Sequence, residues 1–231
     1  MIPIGDTPGY RRRFPVVMLA IVAANVLVFL YEVSLGGRAL QQLFFSAGVV
    51  PVEYTLGREV GPPPPYNVTW LTLITSMFLH GGFLHIASNM LYLFVFGDNV
   101  EDAFGHVMFL VFYLVCGVVA NATHIVFNAG SAIPSVGASG AIAGVLAAYL
   151  VMFPQASIRT LLFLGPFFTV TRVSALFLIG FWFVTQLLTG FASLGVATEQ
   201  TSGVAVWAHV GGFVAGLVLT PFMRPRRAAF D

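Results

Sequence analysis

The chain has 231 residues, of which 58% are hydrophobic and only 8% charged, with a formal net charge of +1 and a mean hydropathy of +0.91. So few charges cannot cover a water-soluble surface, and a nearly neutral balance leaves no electrostatic footprint for nucleic acid. Lipid offers no hydrogen-bond partners, so a spanning backbone must close its bonds within helices or a barrel; the apolar runs here are too long and uniform for barrel strands. The composition predicts an all-α, multi-pass membrane protein.

Residues 1–14 carry Arg11, Arg12 and Arg13 ahead of the first apolar run. A cleavable signal peptide is the other reading of that pattern, but the run is long and lacks a small-x-small exit. Windows of about 20 apolar residues predict six spans, at 15–33, 84–104, 107–127, 139–153, 173–188 and 204–222. The fourth is short. At 1.5 Å per residue it reaches only about 22 Å of a roughly 30 Å hydrocarbon core, which places Ser139 below the membrane surface.

The one long connection, 34–83, has prolines at 62 to 65 and an apolar middle at 40–52. It is too apolar to be wholly solvated and is expected to lie partly in the membrane as short interfacial helices, with Tyr66 and Trp70 near headgroup level. Lysine is absent, so arginine alone sets orientation. Arg11, Arg12, Arg13, Arg159, Arg172, Arg224, Arg226 and Arg227 share one side and only Arg38 and Arg58 lie opposite. The positive-inside rule then makes both termini cytoplasmic, including the 223–231 tail, with 34–83 outside. No repeat or second domain is visible, and residues 1–231 read as one membrane domain. The single cysteine, Cys116, falls mid-span and reads as core filler. The sequons at Asn67 and Asn121 carry no meaning in a chain that never enters a secretory pathway.

Chemistry is concentrated at three places. Gly137-Ala138-Ser139-Gly140-Ala141-Ile142-Ala143-Gly144 opens the fourth span. There the helix dipole favours a developing oxyanion, and Gly137 and Gly140 permit close approach; the bland alternative is a helix cap on a small-residue packing face. In the sixth span His209, Gly212 and Gly216 share one stripe, which can press against Gly140 and Gly144 and bring His209 to Ser139. A structural histidine is the alternative there. In the second span His85 and Asn89, four residues apart, face the same way at a similar depth and supply two donors for an oxyanion, or alternatively ordinary interhelical hydrogen bonds.

Asp98, Glu101 and Asp102 sit at the opposite end of the second span, and Glu199 lies in a loop some ten residues before His209. A serine-histidine dyad with no essential carboxylate is therefore expected. His80, His85 and His209 resemble a zinc-ligand set in type, but no cysteine or outer-face carboxylate joins them. No acid or arginine is placed inside a span apart from the polar end of the second, which argues against an ion pathway.

These residues resemble the rhomboid family of intramembrane serine proteases. The likeness runs from about Trp70 to Gly216. It rests on His80-Gly81-Gly82-Phe83-Leu84-His85-Ile86-Ala87-Ser88-Asn89, on Gly137-Ala138-Ser139-Gly140, and on Ala208-His209-Val210-Gly211-Gly212 continuing to Gly216; residues 96–102 are also similar. The resemblance implies a six-span bundle with a membrane-lying first loop, and an endopeptidase acting on transmembrane protein substrates without cofactor or metal. It implies Ser139 as nucleophile, His209 as general base and then acid, and His85, Asn89 and the Ser139 amide as the oxyanion site. Two departures stand out: Ala143 occupies the place of an aromatic that packs under the histidine in some members, and the tryptophan-arginine pair of the first loop is missing. The fifth span, with Phe177, Phe181, Trp182 and Phe183, is a candidate lateral gate. The rival reading is a catalytically silent relative that binds transmembrane clients. Six spans with almost no extramembrane domain point to a prokaryotic plasma membrane.

Overall fold

The computed structural model describes residues 1–6, 13–61, 69–165, 167–193 and 205–223. Arg11, Arg12, the prolines at 62 to 65, Tyr66, Asn67, Glu199, Arg224, Arg226 and Arg227 lie outside the described residues. The apolar runs fold as helices: α1 (Val16–Ser34), α5 (Phe83–Phe104), α6 (His106–Phe127), α7 (Ser139–Met152), α8 (Ala175–Ser193) and α9 (Val206–Met223). By length and composition α1, α6, α8 and α9 can each cross a membrane. A fifth span arises if α5 is joined to the segment Thr69–Phe78, from which it is bent by 83°. The fourteen-residue α7 is the short apolar helix expected at this place, so the described residues give four or five full-length candidates.

Burial explains the arrangement. Every residue of α7 from Gly140 to Tyr149 is buried, so this helix is apolar all round because it is enclosed all round. α6 and α9 flank it through small side chains. A Cβ added at Gly140 would lie 2.5 Å from the Ala120 Cβ, and one at Gly144 would lie 2.5 Å from the Cys116 sulfur. Cys116 is thus a packing residue, as its mid-span position suggested. By contrast, only 22% of the most apolar stretch of α8 is buried, against 50% for α9.

The described residues of the first connection, 37–61 and 69–78, form short helices, as expected for a surface-lying connection: α2 (Gly37–Ala47), α3 (Pro51–Leu56) and α4 (Thr72–Thr75), the last flanked by single 3-10 turns. Val49 and Val50 are fully buried, and Val49 pairs with Ser135 in an isolated bridge just ahead of Ser139. Trp70 is exposed. Asn121 donates to the Leu73 carbonyl (2.8 Å) and the Ser76 hydroxyl (3.0 Å), so this sequon asparagine is an interhelical tie.

The structure keeps the helical membrane fold and adds detail to the sequence reading at three places. The fold is helical in its apolar runs but also contains a three-stranded antiparallel sheet, β1 (Ile2–Asp6), β2 (Ser157–Leu164) and β3 (Phe167–Ser174), in that order. β2 and β3 form a hairpin closed at Gly165 (φ 65°), and β1 adds to β2 with a bulge between Pro3 and Gly5. The segments read as a plain N-terminal stretch and a plain connection are therefore paired. Asp6 holds the sheet to the bundle by accepting from Asn99 (2.6 Å) and the Tyr149 hydroxyl (2.9 Å). Second, Val173 belongs to β3, so the fifth helix runs from Ala175 to Ser193 instead of 173–188. Third, an acid does lie within a span: Glu32 of α1 is 2% exposed and accepts the His80 amide (3.0 Å).

At the sheet end, Glu101 is fully buried and accepts from the Val17 (2.9 Å) and Met18 (2.7 Å) amides, and Asp102 accepts the Arg13 amide. The α1 N-terminus follows Pro15 and has no side-chain cap of its own, so the acids of α5 satisfy its orphan donors. A single residue, Gly105 at φ 82°, joins α5 to α6, which demands a glycine.

The α7–α9 contact generates a stability prediction. A Cβ at Gly212 would fall on the Gly140 carbonyl oxygen, whereas one at Gly130 meets nothing within 4 Å. Gly212→Ala should lower stability by about 1–3 kcal/mol through overpacking, and Gly130→Ala should stay within about 0.5 kcal/mol of the parent. Reversible denaturation in detergent micelles measures both.

Candidate functional site

Ser139 is the first residue of α7, where the backbone amides have no intrahelical acceptor and the helix dipole is positive. The chain reaches it through Gly137, whose φ of 132° is a conformation L side chains rarely adopt. The Gly137 amide donates to the Ser76 carbonyl (2.8 Å), and Ser76 is itself tied to Asn121. The start of α7 is therefore pinned from below and behind.

His209 closes the first turn of α9 and is 9% exposed. Its Nε2 lies 2.7 Å from the Ser139 Oγ. This contact depends on the facing glycines: α9 approaches α7 with Gly212 over the Gly140 carbonyl and Gly216 over Gly144. Of the glycines singled out in the sequence, Gly140 and Gly144 on α7 face Gly212 and Gly216 on α9, and Gly137 adjoins His85.

His85 and Asn89 face the same point from α5. The Gly81 amide donates to His85 Nδ1 (3.2 Å), so the ring proton of a neutral His85 resides on Nε2. That Nε2 lies beside Gly137: a Cβ built there would be 2.8 Å from it, and 3.8 Å from the Asn89 side-chain nitrogen. Asn89 is 6% exposed, and its amide nitrogen has no hydrogen-bond partner among the described residues. Buried donors are paired as a rule, so an unspent one in a cavity wall marks a place where an acceptor is to be received.

The cavity itself measures about 570 Å³ and opens between α5, α7, α8 and α9, with His85, Asn89, Ser139 and His209 in its wall. Ala143 also lines it. The aromatic support missing at Ala143 is supplied from another helix: the Trp182 ring of α8 lies 5.7 Å from His209 and 6.3 Å from Phe213. The same helix places the Gln186 Oε1 2.8 Å from His209 Nδ1. Gln186 was not singled out from the sequence, although it is the one amide side chain in α8, whose hydroxyl residues Thr185, Thr189 and Ser193 bond back to their own helix.

His80 is 1% exposed, with its ring 5.1 Å from that of His85. It lies against Glu32 through its backbone amide and belongs to the support of His85. Among the described residues no three His, Cys, Asp or Glu side chains converge as metal ligands. Asp98, Glu101 and Asp102 are at the far end of α5, as expected.

The chain is similar to known proteins over most of its length. A family model described as the rhomboid domain matches residues 67–226, which includes every residue of the site. The presenilin-associated rhomboid-like protein, mitochondrial, of Homo sapiens is 31% identical over 200 residues, covering 85% of this chain and 45% of that one. The rhomboid protease GluP of Bacillus subtilis is 34% identical over 162 residues, 70% of this chain and 28% of its own length. RHOMBOID-like protein 1 of Arabidopsis thaliana is 27% identical over 243 residues, 96% of this chain and 57% of its own length. The chain thus spans between 28% and 57% of the length of these relatives. With a domain match over most of its length and the Ser139–His209 pair inside it, the chain belongs to the rhomboid family.

Proposed function

We propose that this protein is an intramembrane serine endopeptidase that hydrolyses peptide bonds in or near the transmembrane segments of other membrane proteins. The observation that carries the reading is the 2.7 Å contact between Ser139 Oγ and His209 Nε2 inside a cavity that also holds the unspent Asn89 donor. A serine hydroxyl is a weak nucleophile until a base takes its proton, and His209 is the group in hydrogen-bond reach.

The reaction follows from these positions. Ser139 Oγ attacks the scissile carbonyl carbon while its proton passes to His209 Nε2. The carbonyl oxygen becomes an oxyanion, which accepts from His85 Nε2–H, the Asn89 amide and the Ser139 backbone N–H at the positive end of α7. His209 then returns the proton to the departing amine, leaving an acyl ester on Ser139. A water that gives its proton to His209 attacks this ester and releases the second product. No carboxylate takes part.

Several features support a substrate that is itself a membrane helix. α8 is the least enclosed of the long apolar helices. It carries Phe177 and Phe181 exposed on its surface, while Trp182 and Gln186 of the same helix meet His209. A helix so lightly held is suited to act as a lateral gate. In this reading residues 1–231 form one membrane domain of six helices, with both termini cytoplasmic and the cavity facing outward. The lipid bilayer is its setting, and neither cofactor nor metal is used. The named relatives include a mitochondrial protein and one from Bacillus subtilis, so the comparisons support an integral membrane protein and do not support the expected prokaryotic plasma membrane over other membranes.

The opposing reading, a silent binder of transmembrane clients, has no use for a serine and a histidine in contact beside unspent donors. Purified protein in detergent or liposomes, given a single-span reporter, should cut it, and Ser139→Ala and His209→Ala should each abolish cleavage. Asn89→Ala should lower kcat roughly a hundredfold. Cleavage that survives Ser139→Ala would overturn the proposal. Gly137→Ala, which forces an unfavourable φ and pushes against His85, should cost roughly tenfold or more in kcat by misplacing that donor.

A further inference from the structure

We infer that Gln186 is the positioning residue of the catalytic base: it holds His209 in the tautomer that can accept the serine proton. The inference rests on the protease reading above and assigns a role to a residue outside the dyad and the oxyanion site.

A neutral imidazole has one N–H and one lone pair, and only the form with the lone pair on Nε2 can take a proton from Ser139. In water neither form is strongly imposed. Here the two ring nitrogens of His209 meet different groups: Nε2 faces Ser139 Oγ at 2.7 Å, and Nδ1 faces Gln186 Oε1 at 2.8 Å. An amide oxygen only accepts, so Nδ1 must carry the proton and Nε2 the lone pair. The ring is oriented as well as protonated correctly, because hydrogen bonds on opposite edges and the Trp182 ring leave it little freedom to rotate.

This is the task that a buried carboxylate performs in a serine triad. Among the described residues no acid reaches His209, and a neutral acceptor suits a site enclosed by apolar helices, where an additional buried charge would be costly. Gln186 also lies on α8 while Ser139 and His209 lie on α7 and α9. Movement of α8 away from the bundle therefore removes the acceptor from Nδ1. The base is then correctly protonated only while α8 is in place, so the position of the loosely held helix is coupled to the state of the dyad.

The test combines kinetics with nitrogen NMR of the full-length protein labelled with ¹⁵N-histidine, in which the His209 signals are identified by their loss in His209→Ala. In the unaltered protein the ring shifts should report a protonated Nδ1 and a bare Nε2. Gln186→Leu, similar in size but unable to accept, should shift the ring toward a mixture of tautomers. It should also lower kcat for a single-span reporter roughly tenfold or more, with KM changed by less than about twofold because no substrate contact is lost. Gln186→Glu keeps an acceptor at the same reach and should restore most of the kcat that Leu loses, which a merely structural role would not produce. The inference is overturned if Gln186→Leu cleaves at the parent rate with unchanged His209 shifts, or if Glu is no better than Leu while both variants melt like the parent. A parent protein that cuts nothing would count against the protease reading instead, and the ring shifts would still decide whether Gln186 sets the tautomer.

Discussion

The backbones of α7 and α9 approach so closely that a methyl group added at Gly212 or Gly216 would lie on a carbonyl oxygen of the facing helix. Lipid gives helices no hydrophobic reason to associate, so this approach is driven by van der Waals packing along a stripe of small residues. Its consequence is chemical. Ser139 is one residue before Gly140, and His209 is three residues before Gly212, so the spacing that lets the helices touch also sets the distance between hydroxyl and imidazole. α6 closes the third side with Ala120 and Cys116 against the same glycines. A bulkier residue at any of these places would separate the backbones and the reacting groups together.

Around that contact most buried polar groups are paired with each other, and a donor in the cavity wall is left unspent. Asn121 ties α6 to Ser76, Ser76 holds the Gly137 amide, Glu32 holds the His80 amide, and the Gly81 amide fixes the His85 tautomer. An unpaired polar group in a membrane interior is expensive, so these ties stabilise the bundle as well as aim the site. Of the buried side chains left without a partner among the described residues, which include the His80 ring, Asn25 and the Tyr113 hydroxyl, Asn89 is the one in the cavity wall, and it is aimed at the start of α7, where negative charge would be welcome. A site that stabilises an oxyanion must hold donors in readiness before the substrate arrives, at some cost to stability.

The helices were legible because an apolar run of bilayer length has few alternatives, and most predicted boundaries fall within two residues of the observed ones. The Ser139–His209 pairing was legible through the glycine spacing, which states both that the helices touch and where. What was missed lacks such a periodic signal. Gln186 is a lone amide in an apolar helix, and nothing local says which neighbour its oxygen will meet. Glu32 sits near the end of the first apolar run, where an acid reads as a membrane-surface residue; its use became apparent only once the turn at His80 was seen to fold back over α1. The sheet was hidden by hydropathy. Residues 169–173 are rich in valine and threonine as a strand should be, and Gly165 marks the turn, but the aromatic and β-branched residues there merge into the fifth apolar run. β1 has no partner within its own stretch of chain, so a pairing with residues 158–161 was not readable locally.

The most direct measurement is to map the covalent adduct formed by a serine-reactive fluorophosphonate on the purified, membrane-embedded protein, by mass spectrometry of its peptides. A nucleophile made by the α7–α9 contact requires a single adduct on Ser139 that disappears when His209 is replaced by alanine. Adducts spread over other serines, or an unaltered yield on Ser139 without His209, would contradict it.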